Sequence, residues 1–358
     1  MTIAITADLH LISRQEHPER YAALDDILLQ MHQQGVAILI IAGDLFDASR
    51  NNCADFEQVC REHPDIQFWI IPGNHDPSIN HQTIVAPNVR IYSTPEIYCV
   101  EPGSVPFLFL PYEKGKTMGE RIAEFARELP MDHWVMIAHG DYLESARDVN
   151  PYEEGLYMPF TRKDLQMFRP RQVFLGHIHV PTDRNPIYYT GSPCGLDITE
   201  TGSRRFLLYD PQSGSVESRT VNTQVLFFSE ALTIFPMEDE AAYIQNKIAG
   251  LLNRWALQPD QRDKVQLRMK FSGFSSDREA LLRTVQESLA GMSFYKNEGP
   301  DISAVSSSAD PNRDALAKMV VQRIKNQAWP DGLDEPGCDE IILSALQIIY
   351  GGRNGSSH

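Results

Sequence analysis

Five short clusters of Asp, Asn and His recur in one local context: Asp8-Leu9-His10, Gly43-Asp44, Gly73-Asn74-His75-Asp76, His139, and Gly176-His177-Ile178-His179. Each follows a short apolar run. Carboxylate, carboxamide and neutral imidazole without thiolate form a ligand set for a divalent transition metal such as Mn, Fe, Zn or Ni. There are more candidate ligands here than one ion can use, so two ions fit better. In a D-x-H or H-x-H pair on extended backbone, alternate side chains point to the same side, so Asp8 can act with His10 and His177 with His179. A shared carboxylate, for which Asp44 is the candidate, would hold two cations ~3.5–4 Å apart, the spacing that clamps a phosphoryl group and generates hydroxide at neutral pH. Gly43, Gly73 and Gly176 permit the tight turns that this placement requires. A lone Gly-Asp is usually a turn and a lone His usually a hydrogen-bonded residue. Five clusters in order, each behind an apolar run, mark a site.

Those runs have to be strands whose carboxyl ends converge, because open α/β sheets place ligands in the crevice outside the carboxyl ends of their strands. The spacing predicts strands at Thr2 to Ala7, Val36 to Ala42, Phe68 to Ile71, Phe107 to Leu110, Trp134 to Ala138 and Val173 to Leu175. A helix from Glu19 to Gln34 carries Tyr21, Leu24, Ile27, Leu28 and Met31 at helical spacing and closes at Gly35. A second helix is expected at Thr117 to Glu128. Strands at Ile187 to Thr190, Arg205 to Tyr209 and Val216 to Val221 close the first domain, residues 1–222. Residues 223–297 read as a smaller α/β domain, 298–311 as a Ser- and Gly-bearing linker, and 312–351 as two amphipathic helices. Residues 352–358 read as a tag or disordered tail.

The ordered pattern D-x-H, G-D, G-N-H-D, H and G-H-x-H resembles the calcineurin-like metallophosphoesterases. Within them, Pro72-Gly73-Asn74-His75-Asp76, Leu175-Gly176-His177-Ile178-His179 and Tyr189-Thr190-Gly191-Ser192-Pro193 are similar to the SbcD branch, the nuclease subunits of DNA double-strand-break repair complexes. The resemblance implies a four-layer α-β-β-α sandwich with a smaller α/β capping domain and C-terminal helices. It implies that Asp8, His10, Asp44 and His179 hold one metal and Asp44, Asn74, His139 and His177 the other. Mn2+ is the usual ion, with Mg2+, Fe2+ or Zn2+ as alternatives. His75 would then act as general acid on the leaving 3′ oxygen, with Asp76 as its orienting partner or as a turn residue. The activity implied is a DNA exonuclease or endonuclease. A homodimer is implied, with an SbcC-like coiled-coil ATPase binding the C-terminal helices. A stand-alone phosphatase or small phosphodiesterase acting on nucleotides is the rival, and a non-catalytic scaffold is a third reading.

The composition sets limits on these readings. The chain of 358 residues has a formal charge of −16, which argues against a generally sticky nucleic-acid binder, since DNA affinity rests on Lys and Arg neutralising phosphates. Any DNA contact has to be local or shared with a partner. Residues 161 to 221 depart from the acidic average, with eight basic side chains, among them Arg162 and Arg184, against six acidic ones. Arg204 and Arg205 are candidates for phosphate contact, and Ser192 for substrate contact. Tyr189, Tyr188 and Tyr142 are candidates for stacking on bases. The five cysteines are scattered without a C-x-x-C pair, which suits reduced thiols. The longest apolar run, Val36 to Ala42, is seven residues, far short of the ~20 that a membrane span needs. With no basic region ahead of the first strand, a cytoplasmic location is expected.

Overall fold

The computed structural model describes residues 1–47, 52–144, 155–307, 310–327 and 337–350. The chain forms two compact units: Met1–Leu196 with Ser203–Val225, and Asp197–Gly202 with the chain from Leu226 onward.

The first unit contains two six-stranded sheets. One has the order Val216–Val221, Arg204–Tyr209, Ile3–Thr6, Ile38–Ala42, Gln67–Ile71, Val89–Ile91. The other has the order Thr182–Arg184, Ile187–Tyr189, Gln172–Gly176, Val135–His139, Pro106–Leu110, Glu96–Cys99. The central strands are parallel and buried on both faces, which explains their continuous Ile, Leu and Val runs. Their side chains alternate between cores. From Ile38–Ala42, residues Ile38, Ile40 and Ala42 enter the core between the sheets, and Leu39 and Ile41 enter the outer core. From Val135–His139, residues Val135 and Ile137 join the same central core, and Met136 and Ala138 face the opposite outer layer.

Helices complete the four layers. Helix Pro18–Gln34 begins on a proline at its first turn and ends at Gly35, whose φ of 65° is a left-handed cap that a side chain would strain. It buries Tyr21, Leu24, Ile27, Leu28 and Met31, the stripe expected from spacing, against the first sheet. Helix Met118–Phe125 starts on a capping box of Thr117 with Glu120 and buries Met118 and Ile122 on the second sheet. Register brings the strand ends level: Ala42 pairs with Ile71, and Gly176 with His139.

In the second unit, strand Val265–Phe274 lies beside Leu226–Ile234 along its whole length. On its other side it pairs first with Ser293–Phe294 and then with Asp301–Ser306. Helices Glu240–Trp255 and Arg278–Ser288 pack over this sheet through Ile244, Ile248, Leu251, Leu281 and Val285. The stretch 298–311 is therefore not a linker throughout. Strand Asp301–Ser306 runs through it and buries Val305, because ladder hydrogen bonding to Val265–Phe274 outweighs its serine content. Helices Pro311–Lys325 and Cys338–Tyr350 also belong to this unit. They bury Ala317, Val321, Ile342 and Leu346 with Phe235 and Phe274, and leave Leu316, Met319 and Ile348 exposed. Residues 352–358 lie outside the described residues.

Candidate metal centre

At the carboxyl ends of the level strands the backbone leaves ordinary conformations. Asp8, His10, Asp44 and His177 all have positive φ, of 55°, 46°, 51° and 93°. Non-glycine residues in this region cost ~1–3 kcal/mol each and persist only where the surroundings over-determine them. The surroundings here are hydrogen bonds that join chain segments. The Asp8 N–H donates to Gly43 O at 3.1 Å and the His10 N–H to Asp44 O at 3.0 Å. The His177 N–H donates to Asp8 Oδ1 at 2.9 Å, tying the ends of the two sheets together. His139 Nδ1 donates to Ala42 O at 2.9 Å and forms a second tie.

The glycines are required by close approach. A Cβ on Gly43 would stand 2.1 Å from His139 Nδ1, and one on Gly73 would stand 2.0 Å from Asp44 Oδ1. A Cβ on Gly176 would likewise stand 2.2 Å from Ala42 O.

The side chains converge in two overlapping sets. His10 Nε2 lies 3.1 Å from His179 Nε2 and 3.7 Å from Asp44 Oδ2. Ligand atoms of Asp8, His10 and His179 all lie within 4.8 Å of one another. On the other side, His139 Nε2 lies 2.7 Å from Asn74 Oδ1 and 3.3 Å from Asp44 Oδ2, and His177 Nδ1 lies 3.1 Å from Asn74 Oδ1. Asp44 Oδ2 faces both sets, while its Oδ1 accepts the His75 N–H at 2.9 Å.

A family model for calcineurin-like phosphoesterases matches residues 1–201, more than half of the chain. The chain belongs to that family. No curated protein matches it. Solved structures similar to it include an archaeal phosphodiesterase (14% identity, 62% of this chain and 100% of that one, TM-score 0.33). A dimetal phosphatase from Danio rerio (12% identity, 62% and 98%, TM-score 0.36) is another. A third is the Pseudomonas putida nuclease MPE (13% identity, 60% and 86%, TM-score 0.27).

The residues present suit the metal pair of a calcineurin-like phosphoesterase. Asp8 Oδ2 is buried without a hydrogen-bond partner, an orphan that a cation would satisfy. Burial pushes the Asp8 carboxyl up to about 6, even with His179 and His139 opposing that shift. Burial holds the His10 imidazole well below its usual value and brings His177 down to about 3, so both are neutral and able to ligate. His139 is different. Burial disfavours its charge, but the adjacent Asp44 carboxylate outweighs burial and raises it to about 9. Burial likewise works against charge on Asp44, and the imidazoles of His139, His10 and His75 prevail, holding it below the usual carboxylate range. With Nδ1 donating to Ala42 O and Nε2 facing Asn74 Oδ1, the metal-free His139 carries a proton where a ligand lone pair is needed.

All seven expected ligands meet here, and His75 lies beside them with its ring edge-on to His10 at a centroid distance of 4.7 Å. Of its two expected roles, Asp76 has the contacts of the turn residue. Buried, it accepts the Gly73 N–H at 2.7 Å and the Phe46 N–H at 3.0 Å. Asp47 faces His75, with Oδ1 3.5 Å from Nδ1, and an oxygen of Asp44 also lies within 4.8 Å of a ring nitrogen of His75. Asp47 is in turn 3.8 Å from the buried Arg20, whose guanidinium also donates to His10 O. The four expected substrate contacts are bracing residues instead. Arg204 is 1% exposed and donates to His179 O at 2.8 Å, and the Ser192 N–H donates to the same oxygen at 3.2 Å. Arg205 forms a two-pronged pair with Asp183 and donates to Tyr189 O. Tyr189 is buried, its hydroxyl donating to Gly140 O at 2.9 Å and accepting the Tyr142 N–H at 2.6 Å.

Asp47 and Asp141 are the residues that sequence reading missed. Asp141 Oδ1 lies 3.5 Å from His177 Nε2, and its Oδ2 accepts the Tyr157 N–H at 2.7 Å, which sets the Tyr157 ring 4.7 Å from that of His177. Carboxylates behind ligating histidines fix tautomer and orientation. The signal was available, since Asp47 closes Gly43-Asp44-Leu45-Phe46-Asp47 and Asp141 follows His139-Gly140.

Proposed function

We propose that this metal-dependent phosphoesterase is a DNA nuclease of the SbcD-like branch that hydrolyses phosphodiester bonds. The observation that carries this reading is the placement of His75. Its backbone is fixed by Asp44 and its Nδ1 is turned to Asp47, while its side chain is 28% exposed beside a centre in which Asp8, His10, Asp44, His139 and His177 are buried. Asp8, His10, Asp44 and His179 would hold one divalent ion and Asp44, Asn74, His139 and His177 the other. Two such ions supply Lewis acidity and hydroxide at neutral pH, and Mn2+ is the ion we favour. Asp44 and Asn74 orient the ligand histidines. Asp47 holds the His75 ring so that Nε2 delivers a proton to the departing 3′ oxygen, which a phosphodiester leaving group of high pKa needs.

A second α/β unit and two closing helices support the SbcD-like reading. With Leu316, Met319 and Ile348 outward, these helices are the surface we assign to an SbcC-like coiled-coil ATPase, which would supply the DNA affinity that a chain of charge −16 lacks. A homodimer and a cytoplasmic location belong to the same proposal. Among the described residues no helix is long and apolar enough to cross a membrane.

The test is Mn2+-dependent digestion of end-labelled linear DNA and a short single strand, with a phosphomonoester and a cyclic nucleotide in parallel. The reading expects DNA cleavage, reduced roughly 10²–10⁴-fold in His75→Ala with metal content unchanged. Cleavage of the small substrates alone would place the chain among stand-alone phosphatases or small phosphodiesterases.

A further inference from the structure

Of the seven side chains that helix Pro18–Gln34 buries, only Arg20 is charged. It is 7% exposed and stands in the first helical turn, where the macrodipole opposes a cation. Long cationic side chains normally keep their heads in water and are buried only with partners. The packing of this helix face is supplied by Tyr21, Leu24, Ile27, Leu28 and Met31, so the charge answers to groups outside the helix.

Two groups at the metal centre meet it. The guanidinium donates to His10 O and lies 3.8 Å from Asp47 Oδ2. His10 has a φ of 46° and its N–H is tied to Asp44 O, so Arg20 closes the other side of a strained residue that carries a candidate ligand. Asp47 Oδ1 faces His75 Nδ1 at 3.5 Å, and the Asp47 N–H donates at 3.3 Å to the carbonyl of Leu11, the residue after His10. The His10 and His75 rings themselves meet edge-on at 4.7 Å. One buried cation therefore stands behind both imidazoles. A guanidinium suits that place, because its planar fork presents N–H groups in fixed directions and can hold a carbonyl and a carboxylate together.

We propose that Arg20 is a positioning residue that couples metal binding to proton delivery. Its hold on His10 O keeps the His10 ring turned into the centre, and its charge draws the Asp47 carboxylate into place behind His75. Arg20 touches neither substrate nor a reacting atom. The part that concerns Asp47 rests on the reading of His75 as general acid, and the part that concerns His10 rests on the metal centre alone.

Full-length Arg20→Met and Arg20→Lys test it, each checked for native circular dichroism. Calorimetric Mn2+ titration of the stripped protein reads the His10 side. At saturating Mn2+, kcat on an alkyl phosphodiester and on bis(p-nitrophenyl) phosphate reads the His75 side. Arg20→Met should weaken Mn2+ binding roughly tenfold or more, a loss that Asp47→Asn should not share. It should slow the alkyl ester roughly tenfold or more and the nitrophenyl ester less than about threefold, since the nitrophenolate leaves without a proton. Arg20→Met combined with Asp47→Asn should be within about twofold of Asp47→Asn alone on the alkyl ester, because both changes remove the same support. Arg20→Lys keeps the buried charge should Arg20→Met not fold, and its single ammonium should leave at least one of the two readouts down by about tenfold. Wild-type Mn2+ affinity in a folded Arg20→Met, a double variant whose loss is the product of the single losses, or full retention of both readouts in Arg20→Lys would overturn the proposal. If His75→Ala slows both esters equally, the general-acid reading falls by itself, and the Mn2+ affinity of Arg20→Met still decides the hold on His10.

Discussion

At the scale of single residues, the centre is an acid–base network whose charges are set by burial and then by one another. Asp44 and His139 stabilise each other's charged forms in the metal-free chain. For His139 the folded value, about 9, lies above the ordinary 6.5. Its contribution is therefore complete below about pH 6.5 and is lost as pH rises through about 9, and is on the order of 3 kcal/mol. In EDTA, the melting temperature should fall between these pH values. Excess Mn2+, which competes with the proton for Nε2, should abolish that fall, and His139→Asn should flatten it. A pH-independent melting temperature in EDTA would contradict the assignment. Asp47 gives a second residue-scale prediction. Asp47→Asn should slow hydrolysis of an alkyl phosphodiester roughly 10- to 100-fold and barely touch a p-nitrophenyl ester, whose leaving group needs no proton. Equal losses on both esters would mean that Asp47 serves the fold and not the proton transfer.

At the scale of elements, the centre depends on strand ends that stop level and turn sharply. Gly43 has a φ of 92°, and its missing Cβ leaves room for the His139 ring. Gly43→Ala should displace that ring and weaken metal binding at least tenfold while the helices stay folded, which calorimetric titration alongside circular dichroism would check. The same geometry explains what was legible beforehand. Strands buried on both faces announce themselves as apolar runs, and their ends carry the candidate ligands, so the seven residues that converge could be picked out from residue type and order. What escaped reading has physical causes. Asp47 and Asp141 stand close to the clusters in sequence but act through space on histidines from other strands, so their position there does not name the imidazole each one faces. Arg204 and Arg205 look identical in sequence, yet strand alternation buries one under His179 and turns the other to Asp183. Helix Pro311–Lys325 turns its larger Leu316 and Met319 outward and buries Ala317 and Val321, small enough for close approach to helix Cys338–Tyr350.

At the scale of the whole molecule, residues from position 8 to position 179 are drawn to one point, and two sheets are stitched together there by His139 on Ala42 and Asp8 on His177. Strained backbone at four candidate ligand positions is tolerated because the rest of the unit over-determines it. Asp44, with one oxygen on the His75 backbone and the other between two ligand sets, joins the halves of the centre. The most direct measurement is metal content per chain by elemental analysis, with calorimetric Mn2+ titration of the stripped protein, for wild type and Asp44→Ala. Two ions per wild-type chain, with neither site retained at comparable affinity in Asp44→Ala, is the predicted result. A single ion in the wild type, or two ions still bound with Asp44 removed, would contradict it.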